Sequence, residues 1–479
     1  MNFFKTNIIL VCLTCSAMLF SGCRTVRAPG NPSESWIAPG WEEKELAKDP
    51  VWEAIRQRKI DPGKELGLLD LLDIALSNNP VTREAWQNAR AYDARMIKSE
   101  STYYPQVTAQ TGGAYNKREV DRTTDIVNRA DYTIGADATM LVFDFGGRSA
   151  GVQKARQLLL VANYDFNQTI QDIVRDTETA YYSYDSSIAA REAAEDDVAD
   201  AQEILVNAQQ KYQVGLVSKL DVLQAESTYN DSLFSLEGAK GDVETSRADL
   251  AEIIGVSADT KFSVLIHLEK VPEEIKKDDV SRYIEEALKK RPDIASARSN
   301  LKAKEAEVDI ATSNILPTLN IGGSMATNWF SYYGSRKGTL TSYKNDYLYS
   351  GQFSVDWNVF DGLNNYFTRI EAQREAALER ESLVETEISA SADVWTKYFN
   401  LRTAQKKYVF SEAFLASANA SHELATEGYK AGLKSMLDLL QSQSQLSEAR
   451  SKLIGSRKDF FVAVAELEHA MGALTVEGK

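Results

Sequence analysis

Apolar residues recur every seven positions over long stretches of this chain. Val222, Tyr229, Leu236, Val243 and Leu250 form one series, and Ala225, Ser232, Ala239 and Ser246 follow the first four three places on. Leu439, Leu446, Leu453, Phe460 and Leu467 form a second, trailed in the same way by Ser442, Ala449, Ser456, Ala463 and Ala470. A strict seven-residue period predicts helices wound into a left-handed supercoil, and large residues alternating with small ones predict close helix approach. The stretches before them, 147–212 and 363–429, carry seams of small residues at Ser187, Ala194, Ala201 and Ala208 and at Ala404, Ser411, Ala418 and Ala425. Asp144 and Asp361 stand where N-terminal caps belong.

Between the helical stretches the period shortens to two. Gly351, Phe353, Val355, Trp357 and Val359 alternate with Gln352, Ser354, Asp356 and Asn358, and Tyr132, Ile134, Ala136, Ala138, Met140 and Val142 alternate with Thr133, Gly135, Asp137 and Thr139. Such alternation predicts strands apolar on one face only. Leu319, Ile321 and Met325 against Asn320, Gly322 and Ser324 make a third strand and residues 107–115 a weaker fourth, giving two hairpins, 106–143 and 318–360.

The whole plan occurs twice. Ala75-Leu76 and Pro80 recur as Ala287-Leu288 and Pro292, and Pro105 recurs as Pro317, at an offset of 212 residues. Phe143-Asp144 recurs as Phe360-Asp361, Tyr212 and Gly215-Leu216 as Tyr429 and Gly432-Leu433, Leu220-Asp221 as Leu437-Asp438, and Gly255 as Gly472, at an offset of 217. The residues gained between the two offsets are expected in a hairpin loop, where insertions are tolerated. This divides the chain into a first repeat over 69–255, a joining segment 256–280, a second repeat over 281–472 and a tail 473–479. All ten prolines lie at or before Pro317, and none falls from Gln106 to Val271, so long helices can run unbroken. At about 1.5 Å per residue, a helix over 147–212 is roughly 100 Å long, too long for an ordinary globular core. Helices over about 69–104 and 219–254 together match that length, so two short helices are expected end to end beside one long one. The second copy, with helices over 363–429 and 436–471, allows the same sum. Gly238 and Gly241, inside a predicted helix, are not explained by any of these patterns.

With 479 residues, 43% hydrophobic and 26% charged, the chain has material for a substantial core. Carboxylates outnumber cationic side chains 69 to 54, a net charge of −15 that argues against nucleic acid as a partner. Cys12, Cys15 and Cys23 are the three cysteines, all near the start. The Cys12 to Cys15 spacing suits a redox motif, but it sits within the apolar run 8–20 that follows Lys5, which reads as a secretory signal. That run is shorter than the roughly 20 residues of a membrane-spanning helix. Ser21-Gly22-Cys23 ends it in the manner of a bacterial lipoprotein signal, 1–22, which implies that Cys23 carries acyl chains; the alternative is an ordinary cleaved signal with an incidental cysteine. Phe20 departs from the Leu usual in such signals, and Arg24 after the cysteine implies sorting to the outer membrane.

Strands of about ten residues with one apolar face and aromatic ends, here Tyr115, Phe143, Trp329 and Phe360, fit transmembrane barrels. The alternative is a soluble two-stranded arm. Four strands fall short of the roughly eight that a barrel needs, so a membrane role requires several copies. From about residue 60 onward, the duplicated helix, hairpin, long helix, Tyr-x-x-Gly-Leu turn and final helix resemble the TolC-like outer membrane efflux proteins. The segments 212–224 and 429–441, Phe360-Asp361-Gly362 and the lipoprotein signal carry the resemblance. It implies an α+β membrane protein: a homotrimer with a shared twelve-stranded barrel in the outer membrane and a tunnel of coiled-coil helices across the periplasm. It would be the exit duct for an inner-membrane pump, expected to be proton-driven, joined through a periplasmic adaptor. Alternatives are the duct of a type I protein secretion system or a lipid-anchored coiled-coil protein that only bridges membrane and periplasm.

The same resemblance places functional residues at the two turns. Gly215 and Gly432 suit left-handed helix ends, and Val214, Gly215, Leu216, Val217, Gly432, Leu433, Lys434 and Ser435 are implied as the adaptor-docking tips. A polar gate around the pore axis is implied at Tyr429, Lys434, Asp438 and Gln441, with Asp221 as a partner from the first repeat. Many relatives have a second acid where Gln441 stands, and Asp438 also reads as a helix cap. Residues 23–68, rich in proline and tryptophan, are expected to form an extended strap. His267, His422 and His469 have no metal-ligand spacing, and Thr426 stands where a metalloprotease would place the second histidine after His422-Glu423. No enzyme activity and no cofactor are expected, and the cargo is not encoded in these patterns.

Overall fold

The computed structural model describes residues 65–119, 126–265, 271–272, 280–333 and 340–473. Cys23, the strap up to residue 64, parts of the joining segment and residues 474–479 lie outside this range. Strand β1 (Glu65–Leu66) leads into α1 (Leu68–Asn78) and α2 (Pro80–Glu100), then hairpin β2 (Gln106–Glu119) and β3 (Ile126–Phe143), long helix α3 (Gly147–Gln213) and α4 (Lys219–Ile253). Strand β4 (Ser263–Val264) precedes a second set: α5 (Val280–Lys290), α6 (Pro292–Ser313), β5 (Thr318–Tyr333), β6 (Leu340–Asp356), α7 (Asn364–Lys430) and α8 (Met436–Ala470).

The helix expected over 69–104 is two helices. Pro80 cannot donate a hydrogen bond and holds Asn79 extended, at φ −62° and ψ 127°, so a new helix begins at the proline. Pro292 parts α5 from α6 in the same way, with Arg291 at φ −62° and ψ 126°. The caps also differ in detail from expectation: α3 starts after Gly146 and α7 after Leu363, both left-handed. Asp144 and Asp361 still serve the first turns from further back, accepting from the amides of Arg148 at 2.5 Å and Asn365 at 2.9 Å. The extra residues of the second copy lie within its hairpin, as expected: Gln106 faces Thr139 in the first and Thr318 faces Asp356 in the second, so the offset changes from 212 to 217 between these paired positions, and the second ladder is the longer.

Near the strands the helices lie side by side in the order α2, α3, α6, α7; toward the turns the order is α4, α3, α8, α7. Heptad positions face inward, with Val222, Leu236, Val243 and Leu250 on α4 and Leu439, Leu446, Phe460 and Leu467 on α8 all buried. Ser187 and Ser246 touch through their hydroxyls at 2.7 Å, as do Ser411 and Ser456 at 2.7 Å, so the small-residue seam brings backbones close and satisfies its own polar groups. Ion pairs Lys154 to Glu307 at 2.9 Å, Lys304 to Glu375 at 2.7 Å and Arg298 to Glu387 at 2.8 Å tie α6 to α3 and α7. At this exposure such pairs set register more than stability.

Each long helix spans two shorter ones that meet end to end. At the first junction Asn79 donates to the Ile253 carbonyl at 2.8 Å, closing α4 against α2; at the second, Arg291 donates to the Ala470 carbonyl at 3.0 Å and to Asp393 at 2.9 Å. Gly255 at φ +71° and Gly472 at φ +66° turn the chain there, pressed against the facing backbone.

The four long strands form one antiparallel sheet in the order β2, β3, β5, β6. Ala138 pairs with Val107 and with Gly323, and Ile321 with Phe353, so the apolar members of the alternation share one face. Tyr132, Ile134, Met325, Phe353 and Val355 are exposed on it. The other face carries Asp131, Asp137, Asn320, Ser324, Ser350 and Asp356, cross-linked by bonds such as Gln110 to Asp137 at 2.7 Å and Asn320 to Asp356 at 2.9 Å. Among the described residues no helix is long and apolar enough to cross a membrane.

A Cβ at Gly255 would sit 2.8 Å from the Asn78 carbonyl carbon, in a conformation that side chains resist. Gly255→Ala is therefore expected to destabilise the chain by about 1–3 kcal/mol, seen as a lower thermal midpoint by circular dichroism. Gly238→Ala, where a Cβ meets nothing within 4 Å of the chain, is expected to show no such loss.

Candidate functional site at the interhelical turns

The turns between α3 and α4 and between α7 and α8 are built alike. Gly215 at φ +76° and Gly432 at φ +77° end the long helices in the left-handed conformation. The Leu216 amide reaches back to the Lys211 carbonyl at 2.9 Å and Leu433 to Gly428 at 2.8 Å, the bonds that close a Schellman motif. Ser218 and Ser435 then cap the following helices. The Asp221 carboxylate accepts from the Ser218 amide and hydroxyl, both at 2.8 Å, and Asp438 accepts from Ser435 at 3.0 and 2.7 Å. These hydroxyl and amide bonds from Ser435 hold the Asp438 carboxyl below its ordinary range. Five aliphatic side chains, Val214, Leu216, Leu220, Leu433 and Leu437, stand exposed at the turns, Leu433 most of all at 83%.

The second turn is clasped to α3. Tyr429 is 4% exposed and lies under the Lys211 ammonium, which sits 4.1 Å from the ring centre and donates to the Tyr429 carbonyl. Burial, and then the negative charge of Asp221, raise the Tyr429 phenol above its usual value. The next residue, Lys430, pairs with Glu203 of α3 at 2.9 Å, and that bond lowers the Glu203 pKa. Further up α8, Arg450 binds Asp197 and, at 3.3 Å, Asp200 of α3. Gln443, 4% exposed, donates to the Asp197 carbonyl at 3.4 Å.

Residues 71–256 and 283–473 match the family model for outer membrane efflux proteins. The chain belongs to the outer membrane efflux protein family. Protein CyaE of Bordetella pertussis is 26% identical over 392 residues, covering 81% of this chain and 80% of that protein. The pyoverdine export outer membrane protein OpmQ of Pseudomonas aeruginosa is 22% identical, covering 96% of each, and the outer membrane protein TolC of Escherichia coli is 21% identical, covering 85% of this chain and 82% of that one. Among solved structures the outer-membrane channel OprN superposes with a TM-score of 0.74 at 20% identity, covering 88% of this chain and 96% of that one. The Campylobacter jejuni CmeC channel gives 0.73 at 18%, covering 95% and 96%. The fold is thus that of an outer membrane channel that reaches into the periplasm, and the family's work is efflux.

Within one copy of this efflux channel, no hydrogen bond or ion pair joins the expected gate residues to one another among the described residues. Tyr429 feels the charge of Asp221, but its hydroxyl is buried without a hydrogen-bond partner in this chain. Lys434 lays its stem over Gly428, where an added Cβ would be 2.7 Å from Lys434 Cγ. Gln441 is exposed, and Asp438 is engaged as the cap of α8. The described residues show no ion pair joining Lys434 or Asp438 to Asp221. Of the docking residues, Val214, Gly215, Leu216, Gly432, Leu433, Lys434 and Ser435 are exposed, while Val217 is half-buried. Lys211, Glu203, Lys430 and the Arg450 to Asp197 clasp were not singled out from sequence. The acidic run Glu195-Asp196-Asp197 opposite an isolated arginine in the serine- and glutamine-rich α8 was the available signal.

Arg450 and Asp197 side chains are 21% and 17% exposed, so breaking the pair costs less than the roughly 3–5 kcal/mol of a fully buried one. Arg450→Ala is expected to lower stability by about 1–3 kcal/mol after that discount, measured by thermal melting. Because the Asp438 pKa is depressed, its cap is fully present above the ordinary value of 3.8 and is lost as pH falls through the lower folded value. Protection of the Ser435 amide, taken relative to its intrinsic exchange at each pH, is expected to be high at neutral pH and to be lost in that acid window; Asp438→Asn abolishes the step.

Proposed function

We propose that three copies of this chain form a passive exit duct of a tripartite efflux system. Their twelve strands close a barrel in the outer membrane, and their helices form a tunnel through the periplasm to an adaptor and a proton-driven inner-membrane pump. The observation that supports this best is the sheet: four strands with one apolar face, ending in the open edges β2 and β6. Four strands are half of the roughly eight that the smallest barrels use, and open edges are not tolerated in hydrocarbon. Cys23 would anchor each chain to lipid.

The turns then lie at the periplasmic end. Their exposed apolar residues suit capture by an adaptor, and the clasps from α3 to Tyr429, Lys430 and Arg450 suit a closed state that opens when the α7 to α8 hairpin swings away from α3. Charge pairs at partly hydrated sites hold such a hairpin without locking it.

Purified protein in detergent is expected to have the mass of a trimer and, in planar bilayers, small and mostly closed conductances. Arg450→Ala and Asp438→Ala are each expected to raise the open conductance severalfold; a monomeric mass or the absence of any conductance counts against the duct. Leu216→Glu with Leu433→Glu is expected to abolish cross-linking to the adaptor while leaving the trimer intact.

A further inference from the structure

Helices α4 and α8 both pack on α3 and scarcely meet each other. Between them, over α3, lies a cavity of about 470 Å³. Its lining carries three carboxylates, Asp197 of α3, Asp231 of α4 and Glu448 of α8, together with serine and threonine hydroxyls of α4 and α8, and no lysine, arginine or histidine. Two of the carboxylates are engaged by side chains outside the lining. Arg450 holds Asp197, and Lys452 holds Glu448 at 2.6 Å, where both side chains are more than half exposed. Asp231 has no ion-pair or hydrogen-bond partner among the described residues.

Gln443, which also lines the cavity, points to what it takes. This side chain is 4% exposed and donates its amide nitrogen to the Asp197 carbonyl at 3.4 Å, which fixes the way round of the amide. Its carbonyl oxygen Oε1 is then buried without a hydrogen-bond partner in this chain. A buried acceptor left unpaired is costly, so a donor placed in the cavity is favoured. Every charged group in the lining is also an acceptor, so the ligand is a cation that donates. A bare metal ion does not suit: no group of three His, Cys, Asp or Glu among the described residues could hold one. The volume is also many times the roughly 30 Å³ share of a water molecule. The α8 part of the lining runs from Leu440 to Ser451, roughly 16 Å at about 1.5 Å per residue. Leu440 and Ala194 add apolar surface. Acceptors in series along an extended, partly apolar groove describe a flexible chain of methylenes that carries ammonium groups.

We infer that this cavity binds a linear polyamine. One ammonium group meets Asp231, a second meets Glu448 in exchange for Lys452, and an N–H between them supplies the donor that the Gln443 carbonyl lacks, while the methylene stem lies against Leu440 and Ala194. An ion pair as exposed as that of Glu448 and Lys452 contributes little, so displacing Lys452 costs little. Asp197 stays with Arg450. A ligand so held bridges α4 to α8 across α3, tying the first pair of helices to the second and reinforcing the grip of Arg450 on Asp197. The site lies within one chain, so it does not depend on the three-copy reading.

The test is a calorimetric titration of spermidine into the full-length protein in detergent at about 0.15 M salt, where the field of the chain's overall negative charge is largely screened. One site per chain is expected, weakened roughly tenfold in Asp231→Asn, in Glu448→Gln and in Gln443→Leu, and unchanged in Asp73→Asn, which removes an exposed carboxylate on α1. Spermidine is also expected to raise the thermal midpoint of the parent but not that of Asp231→Asn, and magnesium chloride at the same concentration of charge is expected to leave both effects in place. The absence of a saturable site in the parent, equal weakening by Asp73→Asn, or displacement by magnesium overturns the proposal, because each shows spermidine acting only on overall charge. Asp231 and Glu448 are exposed, so their variants keep the fold whether or not Gln443→Leu does; full affinity in both also overturns it.

Discussion

A strand edge in hydrocarbon leaves its amide and carbonyl groups without partners, at several kcal/mol for each group. In this chain two such edges, β2 and β6, flank a sheet whose exposed face carries Tyr132, Ile134, Met325 and Phe353. The apolar face favours lipid and the edges forbid it until another chain supplies a strand. In the proposed assembly, the hollow cross-section and the placement of the helices below the barrel follow from satisfying those edges, because each long helix begins within a few residues of a strand's end.

The helices solve a different problem. A helix of 67 residues has no globular core to enter, so its burial comes from a narrow seam of large and small residues repeated along its length. Where one repeat joins its helices through the serine couple Ser187 and Ser246, the corresponding positions of the other are Ala404 and Ala463; where the second uses Ser411 and Ser456, the first has Ala194 and Ala239. A hydroxyl couple and a methyl couple fill similar space, and each satisfies its own polarity, so the layers exchange freely. The end-to-end junctions have less freedom, since Gly255 and Gly472 leave no room for a side chain against the facing backbone.

At the tips, two turns that are nearly identical in backbone differ in attachment. The second is held to α3 through Lys211, Glu203 and Asp197, contacts that are polar and partly hydrated. An apolar contact of that extent would make release costly, whereas charge pairs exchange readily with water. The exposed leucines lie beyond the clasps, and they are accessible while the clasps are closed.

The amino-acid order by itself determined the elements and their duplication: heptads for the coiled helices, two-residue alternation for the strands and glycine at the left-handed turns; the expectation of one helix before each hairpin overlooks the breaks that Pro80 and Pro292 impose. These are local periods and local backbone limits, and they need no knowledge of neighbours. Tertiary structure decided that Asp438 is occupied as a cap, that Tyr429 is buried beneath Lys211, that Arg450 grips Asp197, and that one flank of α7 is bare where that of α3 is covered. Those outcomes join residues hundreds of positions apart, and their partners are set by which helices lie side by side, a relation that no period along the chain records.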